Sequence, residues 1–178
     1  QLLRAAPTEE QVASLGRLTR GSVDPAARGI LQKLAAGAPG DLAPQAAAEL
    51  ARAGDDDARG QLQRWATDEA SDKDGERRLR LWLLLATLDE PVGCDAFPAV
   101  FAASDRALGQ RILAAEGLGQ CGRRASAAVL FDALPKERGP LRLRLAAAGA
   151  LLQIAASDPQ LLAQEGLRRY EVQLDDDQ

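Results

Sequence analysis

Three observations predict an all-helical fold: a composition dominated by two strong helix formers, breakers at short intervals, and one helix face that recurs along the chain. Of 178 residues, 36 are Ala and 29 are Leu, while Val, Ile, Phe, Tyr and Thr, which favour strands, are scarce. With 46% apolar and 27% charged residues, the composition is that of an ordinary globular domain rather than a disordered chain. Between the breakers lie stretches of ten to sixteen residues with apolar positions three or four apart, which is helical spacing.

The predicted helices span 8–20, 25–36, 41–53, 57–69, 75–88, 95–103, 105–121, 124–134, 140–155 and 159–173. Thr8, Asp24, Asp41, Ser104 and Asp158 are placed to accept from the free N–H groups of a first turn, and Pro25 and Pro159 follow two of them at the first helical position. Gly21, Gly37, Gly54 and Gly122 mark ends. Helices this short are unstable alone, so each must lean on neighbours.

The recurrence has a step of 33 residues. Arg111 to Gly122 lies over Arg144 to Ala155 with apolar or small residues at nearly every inward position. One step earlier, Leu79, Trp82, Leu85 and Leu88 fall on the places of Ile112, Ala115, Leu118 and Cys121, and Ala47, Leu50, Ala53 and Gly54 suggest a fourth copy at a slightly longer step. A period of this size with two helices per unit implies a stack in which every unit buries its apolar side against the next.

These residues resemble HEAT-like repeats, in which an Asp in the turn between paired helices precedes an Arg on the second helix, followed by Ala-Ala and Ala-Leu-Gly patterns. Asp72 with Arg78 and Asp105 with Arg111 fit that spacing, whereas Arg144 has Arg138 where the Asp belongs. The resemblance is clearest over 72–156 and faint before 41. It implies a right-handed α-α superhelix of about five two-helix units. The whole chain, 1–178, reads as a single α-solenoid domain with an atypical repeat or cap at 1–40, repeats over 41–173 and an acidic tail at 174–178. On this reading Asp72, Arg78, Asp105, Arg111 and Arg144 form a structural ladder that bridges to turn carbonyls and carboxylates and holds paired helices in register.

Composition excludes several chemistries. The chain has no His, hence no imidazole base or ligand, and its two Cys cannot close a four-thiolate zinc site. No metal, cofactor or catalytic residue is expected. The longest apolar run, Leu81 to Leu88, falls well short of the ~20 residues that a bilayer demands. A net charge of −4 favours neither nucleic acid nor anionic lipid. The strong preference for Arg over Lys fits a GC-rich, bacterial coding sequence and carries no functional weight. The cytoplasm is the expected compartment, with periplasm or exterior following if Gln1 is a processed end.

Four motifs invite sharper readings. Gly117-Leu118-Gly119-Gln120-Cys121-Gly122 spells G-x-G-x-x-G, but it follows a helical stretch rather than a strand, so close helix packing is the better account. Asp72-Lys73-Asp74-Gly75 lacks the outer ligands of a calcium loop, Ala70 and Leu81 standing at the first and twelfth places, so capping explains it. Asp55-Asp56-Asp57 and Asp175-Asp176-Asp177 read as solvated turns or tails. Cys94 and Cys121 should share an edge of the stack, as reduced thiols unless the protein is exported, because adjacent repeats commonly stand farther apart than the ~7 Å a disulfide spans.

The aromatic residues Trp65, Trp82, Phe97, Phe101, Phe131 and Tyr170 read as core. Arg77, Arg80, Arg123, Arg124, Arg142, Arg168 and Arg169 read as exposed. The expected work is protein binding on the face of successive second helices, through Glu76, Gln110 and Arg142, with another protein as partner and no enzymatic activity. The alternatives are a HEAT-like alkylpurine DNA glycosylase, against which the acidic balance speaks, and a toxin-neutralising or assembly-assisting protein.

Overall fold

A computed structural model describes residues 7–21, 24–68, 75–135 and 139–166. The described residues are all-helical and contain no strand. The chain resolves into two compact units, 1–74 and 75–178.

The first unit holds α1 (Glu9–Gly21), α2 (Pro25–Gly37), α3 (Leu42–Arg52) and α4 (Asp56–Thr67). Local chemistry sets their starts. The Thr8 hydroxyl accepts from the Gln11 N–H at 3.3 Å while the Gln11 side chain accepts from the Thr8 N–H at 3.0 Å, a reciprocal box that satisfies two first-turn donors. Asp24 accepts from Ala26 and Ala27, with Pro25 in the first turn. Asp41 sits at the expected place before α3 but makes no side-chain capping bond, because its backbone is already helical, with φ −82° and ψ −8°. At the far end of α3, Gly54 takes φ +87°, a conformation that glycine adopts without cost.

Helix α3 is the centre of this unit and packs on α1, α2 and α4. Ala46, Ala47, Ala48, Leu50 and Ala51 are all buried, so most of its circumference faces protein. Small side chains let three helices approach one axis.

The second unit holds α5 (Glu76–Ala86), α6 (Pro91–Cys94), α7 (Phe97–Ala102), α8 (Leu108–Cys121), α9 (Arg124–Asp132) and α10 (Leu141–Ser157), and residues 159–166 are again helical. Helix α5 packs on α8, and α8 on α10; α7 and α9 touch each other and back onto α8, with α9 also against α10. Two layers result. Phe97, Leu118, Leu130, Leu143 and Ile154 are fully buried between them. Trp82 meets Phe97 edge-on, ring centres 6.4 Å apart, and adds to that core.

The short helix α6 was not predicted, since four residues carry no periodicity, although Glu90-Pro91 supplies a helix start. Helix α8 begins at Leu108, not at 105, and its cap position is Ala107 rather than Ser104, which lies in the preceding turn. Asp158 does cap, accepting from the Leu161 N–H at 2.9 Å. Among the described residues, no helix is long and apolar enough to cross a membrane.

Candidate binding face

In the second unit the exposed sides of α5, α8 and α10 lie on a helix row already ordered by packing. Glu76, Arg77 and Arg80 are exposed on α5, Gly109, Glu116 and Gln120 on α8, and Arg142, Gly149 and Gln153 on α10. Residues 33 apart meet directly here: Gln153 donates through Nε2 to Oε1 of Gln120 at 2.7 Å. On α5, Arg80 pairs with Glu76 at 2.8 Å, one helical turn apart and open to water. Such a pair contributes only about 0.3–0.5 kcal/mol, so it orients charge on the surface more than it holds the fold.

The residues singled out from sequence fall in different settings. Glu76 and Arg142 are exposed, and Gln110 is half-buried near the start of α8. Arg78, Arg111 and Arg144 are each half-buried, three or four residues into α5, α8 and α10. Arg111 donates from Nε to the Phe101 carbonyl at 2.9 Å, tying α8 to the last turn of α7. Asp105 is exposed, and no ion pair among the described residues joins it to Arg111. The Nε of Arg144 is buried without a hydrogen-bond partner, so the carbonyl contact made by Arg111 is not repeated there. Asp72, with the rest of 69–74, lies outside the described residues, as do Arg138, Arg168, Arg169, Tyr170 and the acidic run 175–177. Arg77, Arg80, Arg123, Arg124 and Arg142 are exposed, and Arg123 reaches Asp95 at 2.6 Å.

The glycine motif has a structural explanation at every glycine: packing at Gly117 and Gly119, and the left-handed end of α8 at Gly122. A Cβ on Gly117 would collide with the Phe97 ring, one on Gly119 would stand 2.9 Å from the Ala150 Cα of α10, and Gly122 ends α8 at φ +61°. The segment is helix up to Cys121, so its N–H groups are spent within the helix and not offered to a phosphate.

The cysteines correct the expectation of free thiols. Cys94 and Cys121 are bonded, with Cα atoms 5.7 Å apart. Helix α6 makes the bond possible: it packs on both α5 and α8 and carries Cys94 back to the end of α8. Gly93 permits this approach, because a Cβ there would meet the Trp82 carbonyl at 2.6 Å.

Asp55 departs from a solvated reading as well. It accepts from the Ala58 N–H at 3.1 Å and from Arg28 at 2.8 Å, capping α4 and joining it to α2, whereas Asp56 and Asp57 are exposed. Burial opposes its charge, but the Ala58 bond and the Arg28 guanidinium outweigh that and hold its carboxyl below the ordinary value. Nearby, Glu49 is 7% exposed and lies under Gly16, with Arg52 at 2.6 Å and Arg20 at 3.5 Å. A groove of about 490 Å³ between α1 and α2 is lined by Pro7, Gln11, Leu15, Leu18, Ile30 and Leu34.

Among the described residues no cluster of three or more His, Cys, Asp or Glu could hold a metal ion. Phe97 and Phe101 are buried, Trp65, Trp82 and Phe131 half-buried, so none of these rings stands out as a platform for a base. Compared with protein-family models, curated protein sequences and solved structures, the chain matches none of them.

Proposed function

We propose that this chain is a non-catalytic binding protein of the HEAT-like kind, whose two-helix units follow one another in a right-handed superhelix and hold a protein partner along the exposed faces of α5, α8 and α10. The observation that carries the reading is the Gln120–Gln153 hydrogen bond: two residues one 33-residue step apart stand side by side on adjoining exposed helices, as equivalent positions of successive repeats would. The face is mixed in charge, with Glu76, Arg80, Glu116 and Arg142 exposed, so it suits a polar protein surface better than a uniformly anionic ligand. The Cys94–Cys121 bond fits work in a compartment that oxidises thiols.

Affinity capture with the purified chain, followed by mass spectrometry, tests this. The expected result is a specific protein captured by the wild type and lost when Glu76→Arg, Glu116→Arg and Arg142→Glu are combined, with an unchanged circular dichroism melt. Capture that survives the triple change overturns the assignment of the face. A wild-type chain that enriches nothing above an unrelated helical control overturns the binding role.

A further inference from the structure

Helix α10 is apolar around most of its circumference. One side, with Leu143, Ala147, Ala150 and Ile154, is buried in the second unit. A different side carries Leu141, Leu145 and Leu152, which are 60%, 61% and 72% exposed. With Ala148 and Ala155 they are spaced four, three, four and three residues apart, the a and d positions of a heptad, and therefore form one straight stripe. Scattered exposed leucines are ordinary, but three in helical register are a surface shaped to be covered.

The repeat shows what kind of object covers it. One 33-residue step earlier the stripe reads Leu108, Ile112, Ala115 and Gly119 on α8. There Ala115 is fully buried, and Gly119 is the point at which α8 receives α10, against Ala150. On α10 the same side is open, enriched in leucine, and fits another helix.

The charges along α10 select among helices. Arg142 and Arg144 flank the stripe at its N-terminal end, whereas the C-terminal end has no cation and is followed by exposed Asp158. A parallel partner identical to α10 would crowd four guanidinium groups together; an antiparallel one sends each Arg pair toward the other helix's terminal carbonyls and Asp158. About a twofold axis near Ala148, Leu145 of one copy faces Leu152 of the other, so the stripe is complementary to itself.

We propose that α10 is the seam through which two copies of this chain pair, antiparallel and leucine to leucine. The proposal rests on α10 and its neighbour α8, and not on the binding role above. A helix of 17 residues gives a seam only about 25 Å long, which is small for a permanent interface, so dissociation falls in the micromolar range, on the order of 10 µM.

Sedimentation velocity on the full chain from about 1 µM to about 500 µM reads this directly, with monomer passing to dimer across that range. Leu145→Glu combined with Leu152→Glu raises the dissociation constant at least about a hundredfold while leaving the thermal melt unchanged, since both side chains face water in the monomer. Orientation is read from single cysteines introduced into the wild type, whose own two are already bonded: Ala148→Cys cross-links two copies on oxidation and Leu141→Cys does not. A chain that stays monomeric throughout, or a dimer indifferent to the two glutamates, overturns the seam. Cross-linking through Leu141→Cys as readily as through Ala148→Cys overturns the antiparallel arrangement.

Discussion

Helices α3 and α8 hold corresponding central places in the two units, yet they solve the crowding of a central helix differently. Helix α3 surrounds itself with alanine, and the one charged side chain it buries, Glu49, is held by Arg52 from its own helix and Arg20 from α1. Helix α8 goes smaller still, to glycine, and accepts Phe97 against Gly117 and the backbone of α10 against Gly119. It is then tied at its C-terminal end to α6 by a disulfide. Alanine removes bulk while keeping helix propensity; glycine gains closer contact but costs about 1 kcal/mol of propensity per residue. The second unit offsets that cost with a large ring and a covalent tie. The first relies on side-chain charges within and between its helices.

The contrast is tested most severely at the ring. Phe97→Ala leaves Gly117 facing a void, and the expected loss is about 4 kcal/mol of stability, seen as accelerated hydrogen exchange over residues 75–166 with 24–68 unaffected. Equal acceleration in both units would mean that the ring does not belong to the second unit's core alone.

Next in size is the disulfide. Replacing Cys94 and Cys121 together by Ala releases a loop with a sequence separation of 27, which costs about 3.5 kcal/mol in the chain-entropy picture. Denaturant melts followed by exchange should place that loss in the second unit, and dithiothreitol should reproduce it in the wild type. A melt unmoved by either treatment would show that the bond constrains nothing.

The smallest effect belongs to the first unit. Asp55→Asn keeps a capping oxygen but loses the charge facing Arg28, and about 1 kcal/mol is expected at neutral pH. Because the folded carboxyl titrates below its ordinary value of 3.8, the charge contributes fully above that value, and its contribution is lost as pH falls through the lower, folded one. The gap between wild type and variant in urea titrations should therefore be constant from pH 7 to about 5 and close at lower pH. A gap that persists at pH 2 would assign the effect to shape and not to charge.

Helices α1 to α5 and α7 to α10 were legible because their apolar spacing and breakers are local signals, and the predicted bounds fall within three residues of the observed ones. The glycines of 117–122 were readable as packing because a helical stretch precedes them. Other features depended on partners distant in sequence. Asp55 looked like one of three solvated carboxylates until Arg28 came to it from α2, and Asp105 looked like the partner of Arg111 until the guanidinium was seen on the Phe101 carbonyl. Half of the candidate face follows the same division: the exposed charges of α5 were expected, and the contact between Gln120 and Gln153 was not.

By itself the sequence determined that the described residues are helical and where most of their helices start and stop, since these are matters of local propensity and periodicity. Tertiary structure alone decided that Cys94 meets Cys121, that Gly117 accommodates Phe97, and that the leucines of α10 stand in water. Each of these turns on which surfaces packing brings within a few ångströms, and a short helix such as α6, too brief to announce itself in the sequence, is enough to change the answer.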